Sequence, residues 1–135
     1  MKRSSSSRPP GFVARFGPVV AVAALIFLGS SISNFGGPRG VARFVLAKSV
    51  HITEYALLAL ALLRAFRYWG SHHPARPALG VGLLYAALDE VHQATVAGRH
   101  PSPIDVIVFD FAGLLLGLAL AAWWRSRRLH AERSG

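Results

Sequence analysis

Four stretches of the chain are apolar over lengths that approach or reach the thickness of a membrane. They cover residues 18–32, 45–66, 78–96 and 104–124. A helix needs roughly 20 residues to cross the hydrocarbon core of a bilayer, and the last three stretches meet that length. The first meets it only when residues 12–17 join it. The pattern predicts an all-α fold, a four-helix transmembrane bundle.

Turn-forming residues separate these stretches and fix the expected helix bounds. The breaks fall at Gly36-Gly37-Pro38, at residues 70–77 and at residues 98–103. We therefore expect a transmembrane domain over residues 15–125, with helices at about 15–33, 45–68, 78–96 and 103–124. Ser4–Ser7 and Pro9-Pro10 indicate a disordered basic tail over residues 1–14. Residues 126–135 are expected to form a basic C-terminal tail.

The placement of charge decides between two classes of protein. The chain carries 15 Lys and Arg against 6 Asp and Glu, a net charge of +9, which alone suggests a nucleic-acid partner. However, 53% of the residues are hydrophobic, and eleven of the fifteen basic residues fall on one side of a four-pass topology. The positive-inside rule then places both termini in the cytoplasm. We expect a multi-pass membrane protein with membrane lipids as partners and no nucleic acid.

The first apolar stretch has an alternative interpretation. A basic start, an apolar segment and Gly29-Ser30-Ser31 resemble a secretory signal peptide, whose cleavage would leave three helices. An even number of spans, with both tails in the cytoplasm, favours retention of the first helix.

Five of the six acidic residues lie in or beside the apolar stretches. They are Glu54, Asp89, Glu90, Asp105 and Asp110. A charge at the centre of a bilayer costs about 2.5–3.5 kcal/mol on insertion scales, so such residues are functional candidates. At about 1.5 Å per residue from the tryptophans at the cytoplasmic ends, these acids fall toward the outer face. We therefore expect a polar cluster where helices two, three and four reach that face.

Helical spacing places further polar residues on shared faces. The faces hold Lys48, His51 and Tyr55 on the second helix, and Asp89, His92 and Gln93 on the third. On the fourth helix, Asp110 lies in line with Gly113 and Gly117. Two small residues four apart allow a neighbouring helix to approach closely, so Asp110 should face a helix rather than lipid.

These residues together resemble the VanZ-like family of small bacterial integral membrane proteins. The resemblance covers roughly residues 28–117, and its most specific part runs from the DEVHQ segment to Gly98-Arg99. The family takes its name from a protein associated with teicoplanin-type glycopeptide resistance, and its biochemical activity is poorly defined. The resemblance implies the bacterial cytoplasmic membrane as the location and the cell envelope as the setting. It implies these functional positions: Lys48, His51, Tyr55, Asp89, Glu90, Gln93, Arg99 and Asp105.

Two positions depart from the family pattern. Ala97 stands where the family often has a proline before Gly-Arg. Asp110 stands near a position that is often Asn, and it lies one residue further from Asp105 than expected.

Three functions remain open for this cluster. The leading hypothesis is a site for an anionic lipid-linked or cell-wall ligand, held by Lys48 and Arg99. The second is a metal-assisted hydrolase or transferase acting on phospho-headgroups. A divalent cation would then be bound by candidates among His51, Asp89, Glu90 and Asp105. The third is a structural membrane assembly module, in which charge pairs only hold helices together.

Single residues also have structural alternatives. Ser102-Pro103-Ile104-Asp105 has the pattern of a helix start, so capping alone would account for Asp105. Arg99 in its loop could be merely solvated, and each histidine could serve only as an interhelical hydrogen-bond partner. The sequence specifies neither catalysis nor the oligomeric state.

Overall fold

The computed structural model of the protein describes residues 11–33, 40–99 and 101–134. These residues form four α-helices and no β-strand: α1 (Phe12–Ser30), α2 (Val41–Tyr68), α3 (Ala75–Thr95) and α4 (Phe111–Arg133). A π-helical segment, Asp105–Asp110, leads directly into α4. The all-α class and the four-helix order are confirmed.

The helix bounds differ from the prediction at both ends of the chain. α1 begins at Phe12, so residues 12–14 are helical and Gly11 precedes the helix, while residues 1–10 of the expected disordered tail lie outside the described residues. α4 continues to Arg133 because residues 125–133 are mostly good helix formers without Gly or Pro. Most of the expected C-terminal tail is therefore helical. The expected break at Gly36-Gly37-Pro38 lies outside the described residues.

Within the described part of the chain, three helical stretches are long and apolar enough to cross a membrane. They are Phe12–Ser30, Val41–Tyr68 and the continuous stretch Asp105–Arg133. α3 is not among them, although it is 21 residues long, because its last turns are rich in polar residues. Two of these, Asp89 and Gln93, are buried. Some of the polar side chains of α3 therefore lie between helices rather than on the outer surface of the bundle.

α2 is the central helix, since it contacts α1, α3 and α4. It runs parallel to α4, and the two backbones meet where Gly113 and Gly117 lie against Ile52 and Ala56. A Cβ atom on Gly113 would lie 2.5 Å from the carbonyl oxygen of Ile52, so only glycine permits this approach. The sequence prediction that this face of α4 packs on a helix is confirmed.

Two side-chain hydrogen bonds show the direction of α1 relative to α2 and α3. The Tyr85 hydroxyl of α3 donates to the carbonyl of Ala23 at 2.6 Å, and Arg64 of α2 donates to the carbonyl of Ala14 at 2.7 Å. α1 is therefore parallel to α3 and antiparallel to α2. The ends of α1 and α3 and the starts of α2 and the π-helical segment share one end of the bundle. We call it the polar end, and the opposite end the basic end.

Candidate functional site

The predicted site residues lie at the polar end, where most of them join one of two hydrogen-bonded clusters. The α2–α4 cluster comprises Lys48, His51, Asp105 and Asp110. The α1–α3 cluster comprises Ser30, Asp89, Gln93 and Arg99. The arrangement differs from the single convergent site expected from the sequence.

Lys48 and Asp105 form the outer pair of the α2–α4 cluster. Lys48 Nζ lies 2.6 Å from each carboxylate oxygen of Asp105, and both side chains are largely shielded. The same ammonium lies over the rings of Phe44 and Phe109, with 5.4 and 5.0 Å to the ring centroids. Aromatic faces stabilise a cation that has left bulk water. The Lys48 ammonium is therefore bound by one carboxylate and lies over two aromatic rings of the same chain.

His51 and Asp110 form the inner pair of this cluster. His51 Nδ1 lies 2.9 Å from Asp110 Oδ1, and Asp110 is only 2% exposed. Because an ionised carboxylate only accepts hydrogen bonds, the contact places a proton on Nδ1 of His51. Asp110 thus fixes the orientation of the His51 imidazole ring. The other ring nitrogen, Nε2, takes no part in this pair.

The π-helical segment explains the unexpected spacing of the two acids. In an α-helix, residues five apart point about 140° away from each other. In a π-helix, residues five apart are hydrogen-bonded and lie about one turn apart on the same side. The segment begins at Asp105 and ends at Asp110, so both carboxylates reach α2, one at Lys48 and one at His51. The residue by which this spacing exceeds the expected one is accommodated in this wider turn.

Asp89 is the centre of the α1–α3 cluster. Its Oδ2 accepts hydrogen bonds from Ser30 Oγ at 2.7 Å and from Gln93 Nε2 at 2.9 Å. Its Oδ1 is buried and has no hydrogen-bond partner among the described residues. This carboxylate is therefore held by neutral donors, and one of its oxygens retains acceptor capacity.

Arg99 closes the end of α1. Its Nη2 donates to the carbonyl of Gly29 at 2.7 Å and its Nε to the carbonyl of Ser30 at 3.2 Å. The last carbonyls of a helix lack partners within the helix, so the guanidinium serves as a side-chain cap. Gly98, with φ of +80°, supplies the left-handed turn that precedes Arg99.

Glu90 and Tyr55, two further predicted residues, lie outside the two clusters. Glu90 accepts a hydrogen bond from the backbone N–H of Ser102, which links α3 to the turn before the π-helical segment. The hydroxyl of Tyr55 is fully buried and has no hydrogen-bond partner in the described part of the chain. Asp105 receives no capping bond from the side chain of Ser102, and its carboxylate binds Lys48 instead.

His92 packs against the end of α1. Its ring stacks on that of Phe27 with 4.2 Å between centroids, and its Nε2 lies 2.9 Å from Ser31 Oγ. The Ser31 hydroxyl already donates to the carbonyl of Phe27, so His92 Nε2 is the donor in this contact.

Sequence reasoning missed the contribution of α1, and it did not foresee that Glu54 lies against the end of this helix. Ser30 and Ser31 contact the cluster directly, whereas their triplet with Gly29 had suggested only a cleavage site. The carboxylate of Glu54 faces the same helix end, since a methyl group on Gly29 would lie 3.5 Å from its Oε1. The sequence did contain a signal for this contact. The hydroxyls of Ser30 and Ser31 interrupt an apolar stretch at the same expected membrane depth as the other polar groups.

The predicted metal ligands do not form one set. Among the described residues, no three His, Asp or Glu side chains are grouped so that they could hold a metal ion. His51 is paired with Asp110, Asp105 with Lys48, and Asp89 lies in the other cluster. Within the described residues, these candidate ligands therefore lie in separate contacts.

Both clusters lie within the part of the chain that matches a known family. A family model described as VanZ/LLP1 matches residues 4–125. No curated protein and no solved structure is significantly similar to the chain.

Proposed function

Because the chain belongs to the VanZ/LLP1 family, we propose that it is a multi-pass protein of the bacterial inner membrane with a ligand site at its outer face. In this proposal α3 is the fourth span, and its polar turns face α1 and the centre of the bundle rather than lipid. Both termini lie in the cytoplasm, on the side that carries eleven of the fifteen basic residues. The polar end then faces outward, and its ligand is an anionic lipid-linked or cell-wall molecule.

The proposal rests mainly on Arg99. Two of its nitrogens bind backbone carbonyls, and within the described residues its guanidinium makes no ion pair with a carboxylate. A guanidinium fixed in this way still offers N–H groups to a phosphate or carboxylate in a defined orientation. Lys48 was expected to share this role, but both oxygens of Asp105 bind it. We therefore assign the anion contact to Arg99 and a supporting role to Lys48.

A neighbouring acid complements this anion contact. Glu54 and Arg99 both lie against Gly29. Carboxylate oxygens accept hydrogen bonds from hydroxyl groups. Lipid-linked cell-wall molecules carry both phosphates and sugar hydroxyls, so an arginine beside a carboxylate suits their chemistry.

Binding to a polyprenyl diphosphate-linked disaccharide in nanodiscs tests the proposal. We expect Arg99→Gln to weaken binding of this probe by about tenfold or more, since it removes the charged donor. Arg99→Lys should recover part of the affinity. Arg43→Gln is the matched control, because Arg43 is an exposed cation near the start of α2. Unchanged binding by a folded Arg99→Gln protein would overturn the ligand site.

A contribution to glycopeptide resistance would be a consequence of such binding. Expression of the protein in a susceptible bacterium should raise the inhibitory concentration of teicoplanin, and the Arg99→Gln variant should not. Equal susceptibility with and without the wild-type protein would exclude this role and leave the binding experiment decisive for the site.

The structural assembly module is the second candidate, because both clusters join helices. The Lys48–Asp105 pair connects α2 to the π-helical segment, and Ser30–Asp89 connects α1 to α3. This function predicts that the exchanged pair Lys48→Glu with Asp105→Lys retains full stability and that the disaccharide probe does not bind. The metal-assisted enzyme has no comparable contact in its favour.

A further inference from the structure

A cavity of about 340 Å³ lies at the basic end, away from both polar clusters. It is formed where α2 ends, where α3 begins and beside the second half of α4. Three arginines and two histidines line it: Arg67, His72, His73, Arg76 and Arg125. The cavity is open to the surface, and its volume is near the lower limit of small-molecule sites.

The charge of this cavity is uncompensated in the described part of the chain. No Asp or Glu lines it, and Arg67, Arg76 and Arg125 make no ion pair or side-chain hydrogen bond with described residues. Five of the six acids lie at the polar end, and Glu132 lies about two turns beyond Arg125. The three arginines are exposed, so solvent screens part of their mutual repulsion, and an anion bound between them would lower the rest.

The backbone adds one donor at the same place. α3 begins at Ala75, which lines the cavity, and no side chain caps this helix start. The N–H of Arg76 donates to the carbonyl of His73, and Pro77 has no N–H, so the N–H of Ala75 is the donor that this helix start offers. The positive end of the helix dipole adds to the arginines in favouring a phosphate group in this cavity.

The surroundings of the cavity indicate a lipid as the source of that phosphate. Leu63 and Leu118 supply an apolar part of the lining. Exposed aromatic side chains ring the same end of the bundle, at Tyr68, Trp69, Trp123 and Trp124. Such aromatic residues mark the headgroup level of a membrane, and basic pockets between spans at that level bind anionic headgroups.

We propose that this basic cavity is a specific site for the phosphate headgroup of one anionic phospholipid in the leaflet at the basic end. The arginines bind the phosphate oxygens, and the leucines contact the start of an acyl chain. This lipid site is independent of the proposed ligand site at the polar end. Its arginines contribute to lipid recognition as well as to the orientation of the protein in the membrane.

The test measures retained lipid by native mass spectrometry after release from nanodiscs that contain equal amounts of phosphatidylglycerol and phosphatidylcholine. The wild-type protein should retain one phosphatidylglycerol in clear preference. The variant Arg67→Gln/Arg76→Gln/Arg125→Gln should lose about tenfold or more of this preference. The matched control Arg127→Gln/Arg128→Gln/Arg133→Gln removes the same charge from the end of α4 and should behave as wild type.

Two outcomes would overturn the proposal. Equal loss of lipid in both triple variants would mean that only general surface charge attracts the lipid. Stabilisation of the detergent-purified protein by inorganic phosphate, without retention of phosphatidylglycerol, would mean that the cavity takes a free anion instead. Circular dichroism checks that the variants keep their helical content. If the triple variant does not fold, the single variant Arg125→Gln replaces it and should show a smaller loss of the preference for phosphatidylglycerol.

Discussion

The two clusters at the polar end hold their carboxylates in opposite ways. In the α2–α4 cluster each acid has a basic partner, Lys48 for Asp105 and His51 for Asp110. In the α1–α3 cluster, Asp89 has only neutral donors, and the one arginine binds carbonyl oxygens. The first cluster is internally compensated, whereas the second retains an unpartnered oxygen within the described residues. The unused acceptor capacity therefore lies between α1 and α3, at a buried oxygen of Asp89.

The helix contacts beneath the clusters differ as well. α2 and α4 meet backbone to backbone at glycine, while α1 and α3 meet through side chains such as Tyr85 against Ala23. Backbone contact leaves little room for adjustment, so the α2–α4 side should be rigid and intolerant of change. The α1–α3 side should tolerate substitution better.

Gly113→Leu should have the largest effect, because it places a side chain where the carbonyl of Ile52 lies. We expect a loss of about 3 kcal/mol or more in the free energy of unfolding. Thermal unfolding in detergent measures it. Gly80→Leu is the control, since nothing lies within 4 Å of a Cβ atom there. Equal tolerance of both substitutions would show that glycine does not fix the α2–α4 contact.

His51→Leu should rank second, since it leaves the carboxylate of Asp110 buried without its partner. Breaking a buried pair by removing one member costs about 3 kcal/mol, whereas removing both members costs much less. The double variant His51→Leu/Asp110→Leu should therefore be more stable than the single one. By contrast, Asp89→Asn should cost about 1 kcal/mol, because Asp89 already relies on neutral donors. A larger loss for Asp89→Asn than for His51→Leu would reverse the comparison.

Most of the fold and much of the α2–α4 cluster could be predicted because both leave periodic signals. Apolar length gives the spanning helices, and the glycines at 113 and 117 mark the face of α4 that packs on α2. A charged residue in an apolar stretch is also conspicuous, so Lys48 and Asp110 were found.

The partners within each cluster could not be predicted, since pairing depends on side-chain reach and local helix geometry. The π-helical segment has no simple sequence signature, yet it decides that both Asp105 and Asp110 face α2. Ser30 was missed because a serine near the end of an apolar helix is common and carries no charge. Its role depends on Asp89, 59 residues further along the chain.

Lys48→Met should have the third-largest effect, and deletion of Ile107 tests how it depends on the wide turn. Ile107 is exposed and lies inside the π-helical segment, so its removal allows an ordinary α-helix there. Asp105 and Asp110 would then be four residues apart, and residues four apart share one face of an α-helix. We therefore expect both acids to keep facing α2, and Lys48→Met to cost as much thermal stability after the deletion as before it. Ile107→Leu is the control, and a deletion variant in which Lys48→Met costs nothing would contradict the role of the wide turn in accommodating one extra residue.

Ser30→Ala should have the smallest effect, and it tests the α1–α3 cluster most directly. The substitution removes one of two neutral donors to Asp89 and leaves Gln93 in place. One interhelical hydrogen bond contributes about 1 kcal/mol, so the free energy of unfolding should fall by roughly that amount. Ser126→Ala removes an exposed hydroxyl that bonds within its own helix, and it should be neutral. If Ser30→Ala were as costly as His51→Leu, Asp89 would depend on α1 as strongly as Asp110 depends on His51. The α1–α3 cluster would then be a fixed structural contact, and the case for a ligand between these helices would rest on Arg99 alone.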